Sequence, residues 1–167
     1  MPVEMTVDSV RIDLLARHRL LVLKDVTRER YLPIAIGAAE ASAIAIKLMN
    51  AEVLRPLSHD LLCNVVTTLG GRITGVLITD VVRGTFYARI MLDVEGRHVE
   101  IDARPSDAVA LALRTGTPIY VEEAVLERAA FVPEPPPEEE APGEPRLTDE
   151  QLAAFRKVIN QLDLDDL

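Results

Sequence analysis

The chain has no tryptophan, only three phenylalanines and three tyrosines, and a single cysteine, Cys63, among its 167 residues. With aromatics at 4%, it lacks the flat side chains on which successive bases of a single strand stack. One cysteine excludes an intramolecular disulfide framework and suits a reducing compartment. Its setting among Leu61, Leu62, Val65 and Val66 reads as a small core residue rather than a nucleophile. The histidines are His18, His59 and His98, so no His-x-x-x-His or Cys-x-x-Cys pair exists, which counts against zinc. A Gly-x-Ser-x-Gly elbow, a P-loop and a dinucleotide fingerprint are also missing. No apolar run approaches the roughly 18 residues that span a bilayer. Glu4 and Asp8 stand where a signal peptide would carry basic residues before an apolar block. The expectation is a cytoplasmic protein without membrane association.

Positive charge is scarce as well, with 18 Lys and Arg against 27 Asp and Glu, a net of −9. Residues 1–132 are nearly neutral, with 15 basic and 17 acidic side chains, whereas residues 133–167 hold three against ten. A general nucleic-acid binder draws its affinity from basic side chains that neutralise phosphates, and neither part supplies them. A small local site for phosphate chemistry remains compatible with this balance.

Aliphatic residues must therefore build the core, and their spacing gives the elements. Val3, Met5 and Val7 alternate with polar residues, and Val10, Ile12 and Leu14 resume out of phase, which predicts a strand with a bulge near Asp8 and Ser9. Strands follow at 19–26 and 31–36, then a helix at 37–49 and a second at about 58–69, stopped by Gly70-Gly71. Three strands at 72–82, 85–94 and 97–102 are separated by Arg83-Gly84 and Glu95-Gly96, which predicts an antiparallel meander. A helix after Pro105, a short strand at 118–121 and a brief helix at 123–129 complete the body. Strands and helices fall in blocks, which is α+β organisation with antiparallel or mixed sheets and packed helices.

Residues 133–147 form an acidic linker: 133–145 alone holds six of the eleven prolines and five glutamates. Residues 148–167 then predict an amphipathic helix, with a Thr148–Gln151 capping pair and an apolar stripe of Leu152, Phe155, Ile159 and Leu162. That stripe needs cover from the body, a second copy or a protein partner.

The most informative stretch is Ile101 to Arg114, where a strand runs into a helix. Arg104, Ser106 and Asp107 meet at a helix start, whose free amides and dipole favour an anion. The same residues also serve plain helix-start chemistry, with Ser106 as a cap and Asp107 complementing the dipole. Arg104 opposes that dipole and so calls for an anion beside it, from Asp102, Asp107 or Glu100. Ser58-His59-Asp60 offers adjacent groups for metal or acid–base work, or alternatively another helix start capped by Ser58. Glu40 lies in a helix that is apolar almost all round, as a catalytic carboxylate or as part of a solvated stripe with Lys47. Asp80 stands amid Ile78, Val81 and Val82, as a metal carboxylate or pointing outward.

Several blocks in order resemble the bifunctional nuclease domain family over about residues 3–130. They are Tyr31 to Gly37 with Glu40-Ala41, Arg55 to Leu61, Gly84 to Ala88, Arg104 to Ala108 and Pro118 to Val121. The resemblance implies a DNA- and RNA-degrading activity, as described for plant members, but transfers no settled catalytic constellation. Residue chemistry alone gives only an α+β domain; with the resemblance, the assignment to be tested is a homodimeric, metal-assisted phosphodiesterase. Asp107 with Asp60 or Glu40 would hold Mg²⁺ or Mn²⁺, Arg104 and Ser106 would contact phosphate, and His59 would act as acid or base. The alternative is a non-catalytic regulatory protein that uses the core as an oligomerisation scaffold and the C-terminal helix to bind a partner.

Overall fold

The computed structural model describes residues 1–12 and 17–134. Its elements are β1 (Pro2–Ile12), β2 (Arg19–Asp25), β3 (Tyr31–Ile36), α1 (Ala38–Leu48), α2 (Ser58–Thr68), β4 (Gly71–Val82), β5 (Thr85–Val94), β6 (Arg97–Ala103), α3 (Pro105–Thr115), β7 (Ile119–Glu122) and α4 (Glu123–Ala129). The fold is α+β. The expected linker from residue 135 onward and the C-terminal helix lie outside the described residues.

All seven strands join one sheet in the order β3-β2-β1-β7-β4-β5-β6. Pairing is antiparallel except between β7 and β4, where β7 returns beside β4 after passing through α3. The bulge in β1 falls between Val7 and Ser9, which keeps Val3, Met5, Val7 and Val10 turned towards the core on either side of it. The hairpins β4–β5 and β5–β6 each close on two residues with positive φ, Arg83-Gly84 and Glu95-Gly96, the geometry that matches strand twist.

Helix α3 is the centre of the molecule. Ala108, Val109, Ala110, Leu111 and Ala112 are all buried, so α3 has no solvated face along this run. Small alanine side chains let β4 and β5 approach on one side and α1 and α2 on the others. The sheet curls around this layer, because α4 touches β3 as well as β4 although three strands separate them in the sheet. Leu21, Leu23, Leu32, Ile34, Val76 and Ile78 supply the sheet side of the core.

Two ion-pair networks fix the frame. Asp25, 1% exposed, ends β2 and accepts hydrogen bonds from the Thr27 amide at 2.8 Å, the Thr27 hydroxyl and the Arg28 amide. Its other oxygen takes Arg30 at 2.8 Å, and Arg30 continues to Glu123 on α4. Burial alone would raise the Asp25 carboxyl; the Thr27 amide and Arg30 overcome it and hold the group below the usual carboxylate range. The β2–β3 turn is thereby tied to the last helix. In the second, Asp80 meets Arg128 of α4 at 3.2 Å, so its carboxylate is an exposed partner for a helix.

Candidate active site at the helix starts

Three helices begin close together, and the reason lies in the residues at their caps. Arg104 precedes Pro105, and a residue before proline is driven to extended backbone; at φ −72° and ψ 145° Arg104 becomes the N-cap of α3. Its side chain therefore leaves the helix sideways, while Ser106 and Asp107 occupy the first turn. Gly37 is the N-cap of α1 and Leu57 that of α2. The cap roles expected of Ser58 and Ser106 are thus corrected, because neither sits at an N-cap position. Asp60 instead accepts the Leu57 N–H at 2.8 Å, and Ser106, 5% exposed, lines the pocket described below.

Four of the candidate residues form one chain of contacts. Arg104 donates from Nη2 to Glu40 Oε1 at 2.7 Å and from Nε to Asp107 Oδ2 at 2.9 Å. His59 Nε2 lies 2.9 Å from Asp107 Oδ1. Because a carboxylate only accepts, the imidazole proton belongs on Nε2. Among the described residues, Nδ1 has no hydrogen-bond partner. Glu40 and His59 are largely covered, whereas the Arg104 side chain is 66% exposed. The guanidinium is held more basic than usual by Glu40 first and Asp107 second. The anion required beside Arg104 is therefore supplied by two carboxylates. Of the three expected, only Asp107 takes part; Glu100 pairs with Arg89.

Asp60 belongs to a different cluster. Its Oδ1 takes Arg114 Nε at 2.6 Å, and Arg114, 7% exposed, also donates to the Ala110 and Ala43 carbonyls. This arginine links α1, α2 and α3. The Leu57 amide and then Arg114 hold the Asp60 carboxyl below its ordinary range. Cys63 packs against the core, and burial pushes its thiol up, away from the thiolate a nucleophile requires. His98 is exposed on β6.

Beside Arg104 opens a pocket of about 360 Å³ lined by Ile34 to Gly37, Gly84 to Phe86, and Arg104 to Ser106. Its walls are therefore the β3 end, the β4–β5 turn and the α3 start, three of the blocks that carried the resemblance. A fourth, Ser58 to Asp60, adjoins through the His59–Asp107 contact. In the first turn of α3, the Ser106 and Asp107 amides have no partner within the helix. Among the described residues no group of three or more His, Cys, Asp or Glu side chains is arranged to hold a metal. Glu40 and Asp107 do converge on a single cationic group, the Arg104 guanidinium. A site of one or two carboxylates completed by water and substrate phosphate is the usual manner of Mg²⁺, not of zinc.

Comparison with known proteins places the chain in a family. A family model described as the bifunctional nuclease domain matches residues 21–134, and the chain belongs to that family. An uncharacterized protein of Mycobacterium tuberculosis is 39% identical over 163 residues, which is 98% of this chain and 96% of its own. Bifunctional nuclease 1 of rice, Oryza sativa subsp. japonica, is 28% identical over 114 residues, 66% of this chain and 34% of the plant protein. Bifunctional nuclease 2 of Arabidopsis thaliana is 28% identical over 110 residues, 64% of this chain and 33% of the plant protein. Among the described residues no helix is long and apolar enough to cross a membrane.

Proposed function

We propose that the chain is a nuclease that hydrolyses phosphodiester bonds of DNA or RNA at the Arg104 pocket. The observation that carries this reading is the Glu40–Arg104–Asp107–His59 chain of contacts beside a pocket at a helix start. Arg104 presents a fixed fork of donors to solvent and suits a phosphate oxygen. The Ser106 and Asp107 amides and the Ser106 hydroxyl add neutral donors at the positive end of α3. Asp107 holds His59 in the tautomer with its proton on Nε2, so that Nδ1 accepts a proton from the attacking water. As water adds to phosphorus, negative charge grows on the non-bridging oxygens, and Arg104 with the α3 amides stabilises it. The proton taken by His59 is then available to the departing alkoxide.

Mg²⁺ or Mn²⁺ belongs to the proposal. Glu40 and Asp107 would be its protein ligands, on either side of the exposed Arg104 guanidinium. Such an ion polarises a phosphoryl oxygen and offsets its charge. Asp60 has no place in this set, since Arg114 and the Leu57 amide occupy both its oxygens. The reading further places the protein in the cytoplasm, where its single cysteine stays reduced.

The rival is a non-catalytic scaffold, favoured by one observation: Arg104 already has two internal carboxylates to balance it. Purified protein incubated with single- and double-stranded DNA and RNA, with Mg²⁺, with Mn²⁺ and with EDTA, separates the two. The nuclease reading expects cleavage that EDTA suppresses. Intact substrate under every condition supports the scaffold.

A further inference from the structure

We propose that the chain forms a two-fold dimer through strand β6 and helix α2, with a second copy of itself covering this face. The sheet has two edges, β3 and β6, and they differ in chemistry. Edge β3 is blunted, because Pro33 has no N–H to offer and Tyr31 already exchanges two 2.9 Å backbone bonds with Phe131. Among the described residues, edge β6 has neither a proline nor a second backbone partner. Its seven residues pair with β5 in unbroken register, without proline, lysine or a bulge. An unbroken edge with unpaired backbone groups is a template for another strand whose charges complement its own.

The side chains beside this edge also need cover. Between α2 and β6 lies an apolar groove of about 280 Å³, walled by Leu62 and Val66 on one side and Ile101 on the other. Leu62 and Ile101 are each 46% exposed, and Val99 stands next to Ile101 on the same side of the strand. Leu92 and Leu111 line the groove deeper in, and Asp107 stands at its margin.

Charge selects the occupant and the register. A two-fold axis normal to the sheet keeps Val99 and Ile101 of both copies on the helix side. If the axis passes at Val99, each His98 faces a Glu100 of the other copy. Centring on Glu100 opposes two glutamates, and centring on Ile101 opposes Glu100 to Asp102, both unfavourable for residues directly across a ladder. The tight turn at Glu95-Gly96 closes on the Val94–Arg97 pair, so counting in twos turns the N–H and C=O groups of His98, Glu100 and Asp102 outward. Pairing centred on Val99 uses two of these sets in each copy. The strand is thus complementary to itself in backbone, apolar face and charge.

Light scattering on the full chain tests this directly, with twice the 18.4 kDa chain mass expected at micromolar concentration. The double variant Leu62→Glu, Ile101→Glu alters only exposed side chains and should run as a monomer with an unchanged circular dichroism spectrum. In a Cys63→Ala background, Val99→Cys should give a disulfide-linked dimer on mild oxidation, because a non-hydrogen-bonded pair sits about 4.5 Å apart at Cα, within disulfide reach. Arg83→Cys at the other turn should not. A monomeric wild type overturns the proposal. So does a dimer that the double Glu variant leaves intact, which would place association on the C-terminal segment or another surface. A dimer that the Glu variant splits while Val99→Cys stays unlinked overturns the strand pairing.

Discussion

The His59 imidazole and the Asp107 carboxylate lie 2.9 Å apart although 48 residues separate them in the chain. The contact joins the first turn of α2 to the first turn of α3, and the remaining oxygen of Asp107 is taken by Arg104. One carboxylate thus orients both an imidazole and a guanidinium, the groups to which the proposed mechanism gives proton transfer and phosphate binding. Replacing His59 with Ala should lower kcat by about 10²–10⁴-fold, the usual contribution of a positioned general base. Initial rates on a labelled oligonucleotide check this, alongside a melting curve to show that the fold persists. Undiminished kcat would remove His59 from the proton path.

Asp60 should behave in the opposite way. Its carboxylate joins the α2 cap to Arg114, which in turn holds α1 and α3, so Asp60→Asn should cost about 1–3 kcal/mol, the range for a disrupted charged hydrogen bond. Turnover per folded molecule should stay within a few-fold of wild type. A stable but inactive Asp60→Asn protein would return Asp60 to the catalytic set.

Gly37 is needed for space rather than for a special backbone angle, since its φ is −75°. A Cβ at this position would run into Glu40 Oε2, the end of a flexible side chain. Gly37→Ala should therefore leave melting temperature nearly unchanged while pushing Glu40 off Arg104. The lost pair is worth about 0.2–1 kcal/mol, which predicts a decline in kcat/KM of roughly 1.4- to five-fold. A wild-type value for kcat/KM would show that the Glu40–Arg104 contact plays no part.

Arg30→Met should be more damaging to stability than any change at the helix starts, because it leaves the buried Asp25 carboxylate without its cation. Breaking a buried pair in this way costs about 3–5 kcal/mol. The pH dependence has a definite sign. The folded Asp25 carboxyl lies below its ordinary value of 3.8, so its contribution is complete above that value and is lost as pH falls through the lower, folded value. Denaturant titrations from pH 7 down to pH 2 should show wild type losing stability at the acid end. The share of that loss due to the Asp25–Arg30 pair should be absent in Arg30→Met. Equal acid sensitivity in both proteins would assign the loss to other carboxylates.

Much of the fold was legible because local chemistry decided it. The phase shift across Asp8 and Ser9, the glycine turns at 84 and 96 and Pro105 at a helix start each act within a few residues, and the structure places the corresponding elements there. The order of the strands was not legible. The insertion of β7 between β1 and β4 depends on α3 being small enough to be enclosed, a property of packing rather than period. At the site, the sequence showed Glu40, His59, Arg104 and Asp107 as candidates but not their partners. Glu40 and Arg104 are 64 residues apart, and nothing local relates them. The partner of Asp60 was hidden for the same reason: its neighbour His59 points to Asp107, whereas one residue further the helix turns the carboxylate towards Arg114. The Asp25–Arg30–Glu123 network escaped notice because a polar turn looks alike whether it is solvated or buried.

The most direct measurement compares wild type with Asp107→Asn on end-labelled single-stranded DNA and RNA in Mg²⁺, with a mock purification to exclude contaminating nucleases. The amide keeps nearly the volume of the carboxylate but loses the charge that orders Arg104 and His59 and the oxygens that would hold the ion. The account predicts cleavage by wild type, a loss of at least about 10²-fold in the variant, and nearly unchanged melting temperatures. Equal rates in the two proteins, or no cleavage beyond the mock sample by either, would contradict it.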